Sequence, residues 1–181
     1  RERGVLAATA RAGNVIGGGD WAMDRLLPDL VRAAVSGRPL RIRNPQATRP
    51  WQHVLEPLAG YLLLGERLLE GRGEFADAWN FGPDAEANLS VAEMVARVAP
   101  HWPALRCEAP DGGERGPHEA GLLMLDSAKA RKLLGWRGRW SVDEALARTA
   151  AWYRAHHEES RLLTDEQIEA YSSRLAGEDG T

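Results

Sequence analysis

The densest run of chemistry-bearing side chains lies between Arg41 and His53. Arg41, Arg43 and Arg49 are interleaved there with Asn44, Gln52, Trp51 and His53. A guanidinium presents a planar fork of donors that grips a phosphate or carboxylate at two points, and an indole can wall a base or a sugar. The same stretch also reads as a solvated loop with Trp51 as a core anchor. A second candidate is Gly17-Gly18-Gly19, expected between a strand and a helix. Backbone N–H groups in such a loop, with the following helix N-terminus, can cradle a phosphate. It is neither a G-x-G-x-x-G fingerprint nor a loop ending in Gly-Lys-Ser/Thr, and a plain turn is the competing reading. A third is His118-Glu119, beside Glu114 and Arg115 in a Gly/Pro-rich loop. That pair suits acid–base work or a surface charge pair. His101, His156 and His157 fall at expected helix ends, where the dipole favours them.

Several chemistries have no support. The sequence has no Gly-x-Ser-x-Gly, no His-Glu-x-x-His and no tyrosine followed four residues on by lysine. The single cysteine, Cys107, excludes an internal disulfide and a cysteine-based zinc site. The net charge of −3 with scattered basic residues gives no nucleic-acid footprint. No apolar run approaches the roughly 18 residues of a membrane span. Hydrophobic residues at 44% suffice for a sizeable core.

The positioning elements follow from periodicity and caps. Val5–Ala10 reads as a buried strand. Asp24 is expected to cap a helix to about Ser36, with Leu27, Leu30, Val31 and Ala34 on one face and Gly37 as its stop. Leu40–Ile42 reads as a strand and 44–53 as a loop punctuated by Asn44-Pro45 and Arg49-Pro50. Leu55, Leu58, Ala59, Leu62 and Leu63 predict a helix to about Glu70, with Pro57 in its first turn. Ala78–Phe81 is a strand, and Ser90-Val91-Ala92-Glu93 is a capping box opening a helix to about His101. Leu105–Glu108 and Leu122–Leu125 read as strands. Asp126 caps a short helix to Leu134, Ser141 opens a helix to about His157, and Thr164 starts another. Trp136, Trp140 and Trp152 are expected in the core, and residues from Ala176 onward in a disordered tail. The mixture predicts an α/β class. The chain opens without Met and runs quickly into an apolar strand, which points to a piece of a longer protein.

Several motifs, taken in order, add a resemblance. Arg11-Ala12-Gly13-Asn14-Val15-Ile16-Gly17 is similar to the segment of extended short-chain dehydrogenases that follows the catalytic helix and meets the sugar-nucleotide. Arg25-Leu26-Leu27-Pro28 resembles the element of that family that touches the nucleotide. Gly17–Trp21, Ile42-Arg43-Asn44-Pro45, the run Arg49 to Pro57, Trp79-Asn80-Phe81-Gly82-Pro83, Pro117-His118-Glu119-Ala120 and Leu125 to Ala130 with Leu134-Gly135-Trp136 look like the CDP-glucose 4,6-dehydratase branch. The match runs from about Val5 to Ser172.

The resemblance implies the end of a Rossmann-type parallel sheet in residues 1–12. It implies a small mixed α/β substrate-binding region over 13–175, with some segments returning to that sheet, and a tail from 176 to 181. It implies an NAD-dependent internal redox dehydration of a CDP-sugar, in a cytoplasmic enzyme that is a homodimer or higher homo-oligomer. NAD would be bound mostly by upstream residues, with no metal. Asn14, Arg25, Leu26, Ile42, Arg49, Asn80, His118 and Glu119 would hold the substrate, and no catalytic residue is carried over. Another sugar-nucleotide dehydratase, epimerase or reductase is the alternative within the superfamily. A non-catalytic nucleotide-sugar-binding module is the alternative outside it.

Overall fold

The computed structural model describes residues 4–42, 44–108 and 123–178. The strands are β1 (Thr9–Ala12), β2 (Asn14–Ile16), β3 (Leu40–Arg41), β4 (Thr48–His53), β5 (Ala78–Phe81), β6 (Asn88–Ser90) and β7 (Cys107–Glu108). The helices are α1 (Leu26–Val35), α2 (Leu55–Leu69), α3 (Val91–Val98), α4 (Val142–Glu159) and α5 (Thr164–Glu178). β1 and β5 form a parallel pair. β4 is central to a second sheet, parallel to β2 and antiparallel to β6, and β3 pairs in parallel with β7. This is the α/β class expected. No helix among the described residues is long and apolar enough to cross a membrane.

The helices form where one face is apolar and the ends are specified. α1 buries Leu27, Leu30, Val31 and Ala34, a spacing that keeps them on one side, and Gly37 takes the left-handed conformation beyond its end. α3 opens on the complete capping box. The Ser90 hydroxyl accepts from the Glu93 N–H, and the Glu93 carboxylate accepts from the Ser90 N–H. At α4, Ser141 accepts from the Glu144 N–H.

Two packing clusters result. The larger joins α1, α3 and α4 over β4 and β6 through Leu30, Met94, Val98, Leu146 and Tyr153. The smaller packs Leu64, Phe75, Trp79, Phe81 and Trp136 around β5 and α2. The chain crosses between them at the end of β4, and that seam is polar and buried. Gln52 donates from its side-chain amide to the Phe81 carbonyl at 2.7 Å. Glu56, 2% exposed, accepts from the backbone N–H groups of Arg139 (2.9 Å) and Trp140 (2.8 Å) and from the Tyr171 hydroxyl (2.8 Å). The Glu56 carbonyl accepts from the Trp136 indole at 3.0 Å.

Several expectations need correction. The first strand lies at Thr9–Ala12, not Val5–Ala10, and its residues are largely exposed, with Val5 93% exposed. Pairing decides this: the register with β5 begins at Thr9↔Ala78. Asp24 does not cap α1. It takes φ +60, and Arg25 is the cap residue, without a side-chain cap bond. Residues 48–53 are a central strand rather than a loop. Pro50 is tolerated because it faces Asn88 on β6, whereas pairing with β2 begins only at Trp51. β2 and β6 were not expected from the sequence. Residues 123–125 form no strand, because none of the described strands pairs with them. Trp136 and Trp140 are buried but precede α4 instead of lying on it, and α5 continues through Glu178.

The His53 ring is 1% exposed. Burial first, then the Arg148 guanidinium, push its pKa down to about 4 against an opposing contribution from Gln167. The unfolded chain therefore binds this proton first. The stability from neutral His53 is complete above the ordinary value near 6.5 and is lost as pH falls toward 4. The Glu56 pKa is raised, chiefly by burial, so this group acts in the opposite sense within its own window. Urea unfolding should show stability falling by up to about 3 kcal/mol from pH 7 to 4. His53→Asn, which keeps an acceptor for the Leu55 N–H, should lose most of that slope. An equal slope in both would assign it to other groups.

Gly13 lets β2 approach β4. A Cβ there would lie 2.7 Å from the Pro50 carbonyl oxygen, a backbone atom fixed by the β4–β6 register. Gly13→Ala should cost about 1–3 kcal/mol by overpacking. Gly65→Ala, on α2 with no atom within 4 Å, should instead gain up to about 1 kcal/mol. Thermal melts of both variants check the contrast.

Candidate functional site

The C-terminal end of β2, the loop after it, the start of α1 and the middle of β4 enclose a cavity of about 540 Å³. Gly13, Asn14 and Gly17 form one wall, Asp20, Asp24 and Arg25 the mouth, and Leu26, Leu27 and Pro28 the helix side. Arg49 and Trp51 come from β4, and Val91 from the start of α3. Parallel pairing places Asn14 opposite Trp51. Arg49 lies two residues back along the same strand.

Cations and donors converge at this cavity. Arg49 is half-buried and donates to the Thr48 carbonyl at 2.8 Å. Arg25 sits at the N-terminus of α1, which has no side-chain cap, so the helix presents its first N–H groups and its positive dipole end there. Asp20 and Asp24 add two carboxylates at the mouth. Asp20 is committed in part to its own turn, accepting from the Ala22 N–H at 2.9 Å. Such an arrangement can hold an anion against the arginines and hydroxyl groups against Asn14 and the carboxylates.

Of the residues named from sequence, Asn14, Arg25, Leu26 and Arg49 meet in this cavity. Ile42 does not. It is a partly buried residue packed against the larger core. Asn80 does not either. It lies on β5, and its amide donates to the Asp126 carbonyl at 3.1 Å, tying β5 to a segment 46 residues away. His118 and Glu119 lie outside the described residues. Sequence reading missed Asp20, Asp24 and Val91 as lining residues. No sequence signal marked the first two, because the left-handed conformation of Asp24 is set by the fold of the loop. Trp51 is both wall and core: it is 5% exposed, and its indole donates to the Leu89 carbonyl at 3.1 Å.

A second cavity of about 370 Å³ shares Trp51 and extends toward Glu56, Trp136 and Trp140. Its charged residues are largely engaged: Arg131 with Asp84 at 2.8 Å, Arg97 with Asp143 at 3.2 Å, and Glu56 with its three donors. It belongs to the packing seam. The histidines at the helix ends are also packed. His156 stacks on Trp152 with ring centroids 5.4 Å apart, and His157 lies against Trp102.

No family model matches the sequence. Among curated relatives, the chain is 43% identical over 174 residues to the CDP-glucose 4,6-dehydratase of Salmonella typhimurium, covering 95% of this chain and 48% of that protein. It is 27% identical over 126 residues to a UDP-glucose 4-epimerase of Bacillus subtilis, covering 68% of this chain and 34% of that protein. Among solved structures, an epimerase of Methanothermobacter thermautotrophicus superposes with a TM-score of 0.67 at 26% identity, over 82% of this chain and 43% of that one. The chain thus spans about half the length of the Salmonella relative, and less of the Bacillus one. Through nearly all of its residues the chain is thus similar to a sugar-nucleotide dehydratase, and it shares the fold of a solved epimerase.

Proposed function

We propose that this chain is the substrate-holding part of an NAD-dependent CDP-glucose 4,6-dehydratase, which converts CDP-glucose to CDP-4-keto-6-deoxyglucose and water. The observation that carries this reading is the cavity where Arg25, Arg49 and Asn14 meet at the uncapped start of α1, in a chain 43% identical to such an enzyme. A nucleotide-sugar carries a diphosphate, and the two arginines are its ligands. A charged hydrogen bond contributes about 1.5–3 kcal/mol, whereas a helix N-terminus adds about 0.3–1 kcal/mol. The arginines therefore dominate, and they must outweigh the repulsion from Asp20 and Asp24. Asn14 fixes a hydroxyl or phosphate oxygen through its amide. We assign no substrate contact to Ile42 or Asn80. His118 and Glu119 keep their assignment to the nucleotide end on the resemblance alone.

The residues present do not build an NAD site. They include neither a glycine fingerprint nor a Tyr-x-x-x-Lys pair. We therefore derive no redox step within this chain. Its contribution is to bind the nucleotide end and spend that energy on orienting the sugar. In this reading β1 is the last part of a Rossmann-type sheet, and β5, parallel to it, is a segment returning to that sheet. A cytoplasmic location and homo-oligomeric assembly belong to the same proposal.

The 181-residue chain alone should form no 4-keto product from CDP-glucose and NAD, since no general base for the reaction is present. Turnover above background would overturn this. In the full-length enzyme, Arg49→Ala should raise KM by about thirtyfold or more, equivalent to about 2 kcal/mol, with kcat less affected. Arg49→Lys should recover only part of the loss, because the fork is gone. Steady-state kinetics with KM unchanged in both variants would remove Arg49 from the site.

A further inference from the structure

The edge of the cavity is a glycine-rich loop, and its shape is imposed from outside. Gly18 lies flat on the Trp152 indole: a Cβ there would sit 2.0 Å from Cδ2. Gly19 reverses the chain with φ +82. The Asp20 carbonyl accepts from the Tyr153 hydroxyl at 2.6 Å. The Trp21 ring meets Tyr153 edge-on at 5.3 Å between centroids. From the opposite side, Arg32 on α1 donates to the Trp21 carbonyl at 3.0 Å and to the Ala22 carbonyl at 3.1 Å, while also pairing with Asp29. The segment so held delivers Asp20, Asp24 and Arg25 to the cavity mouth, which neither Tyr153 nor Arg32 lines.

We propose that Tyr153 and Arg32 are positioning residues that clamp the loop from Gly17 to Arg25 between α4 and α1, and so set where Arg25 meets the diphosphate end of the substrate and how far Asp20 stands from it. This rests on the substrate-site reading above. Three carbonyl oxygens, at Asp20, Trp21 and Ala22, are gripped by side chains that come from the two flanking helices. A loop with three successive glycines has high conformational entropy to lose, and these grips restrain it. Tyr153 is suited to a constant donor role: it is 1% exposed, and burial with the nearby Asp20 pushes its pKa up to about 12. Its hydroxyl keeps its proton across the neutral range.

The test uses the full-length enzyme and compares Tyr153→Phe, Arg32→Gln and Arg32→Lys with Arg49→Ala. Hydrogen exchange reads the backbone amides of residues 17–25, and kinetics with CDP-glucose read KM and kcat. Tyr153→Phe and Arg32→Gln should each speed exchange in this loop by about five- to tenfold and raise KM by a similar factor, with kcat changing less than about twofold. Arg32→Lys, which reaches one carbonyl at a time, should lie between Arg32→Gln and the unsubstituted enzyme. Arg49→Ala should raise KM without loosening the loop. Faster exchange at unchanged KM would show that the clamp does not serve the site and would overturn the proposal. So would unchanged exchange. If Tyr153→Phe fails to fold, partly exposed Arg32 decides the question by the same two readouts. If Arg49→Ala leaves KM unchanged while the clamp variants raise it, the phosphate assignment fails and the positioning role stands.

Discussion

The buried seam between the two cores sets the geometry of everything else. β4 belongs to the larger cluster and α2 to the smaller, and only Val54 separates the strand from the helix. Three polar side chains, Gln52, His53 and Glu56, are buried at this crossing. Glu56 is the carboxylate among them. Burial raises its pKa although Trp140, Tyr171 and Arg139 all pull it down, so desolvation outweighs three bonds to the charged form. A carboxylate held at that cost is weak evidence for stability. Its return is geometric. One side chain fixes the start of α2, the turn before α4 and the middle of α5, at separations of 83, 84 and 115 residues.

That fixation carries over to the cavity. Arg49 and Trp51 stand on the strand that leads into the seam. Gln52 ties the strand to β5, and Trp51 ties it to β6 through the Leu89 carbonyl. Arg148 lies over the Trp140 ring at 4.0 Å, so the guanidinium that adds to burial in lowering the His53 pKa is itself held by the residue whose N–H binds Glu56. A strand braced on both sides can present an arginine fork within the narrow tolerance that bidentate phosphate recognition needs. A loop arginine would spend part of its interaction on its own ordering.

What the sequence made legible was local. α1 and α3 follow from spacing, the Ser90 box and Gly37, because each signal lies within a turn or two of the element it controls. Motif order picked out Arg25, Leu26, Arg49 and Asn14, which line one cavity. What was illegible depended on distant partners. β4 reads as a polar, proline-bearing loop. It becomes a strand because β2 and β6, themselves only three residues long, meet it from elsewhere. Asn80 was grouped with the others by motif order, but it stands on β5 away from the cavity, and the partner of its amide, Asp126, is 46 residues away. Asp24 has the composition of a cap, and only the turn of the loop places it in the left-handed region that leaves α1 uncapped. The sequence shows that an aspartate precedes a helix but not which way the chain enters it.

The same distinction bears on how much of the chain the cavity requires. Its lining comes from residues 13 to 91, which would suggest that the first half suffices. Its supports do not. The loop edge leans on Trp152 and Tyr153 across more than 130 residues, and the Trp152 indole is in turn anchored to Thr164 at the start of α5. The seam beneath β4 closes only when Tyr171 reaches Glu56. A segment ending before α4 would keep every lining residue and lose both the contacts that hold Gly18 to Asp20 in place and the Tyr171 bond to Glu56. The cavity lining would then survive as composition without geometry, because contacts between distant segments must offset the entropy of ordering a glycine-rich loop. The cavity therefore depends on segments as far apart as Gly13 and Tyr171, and α4 and α5, which contribute no lining residue, are as necessary to it as the strands that do.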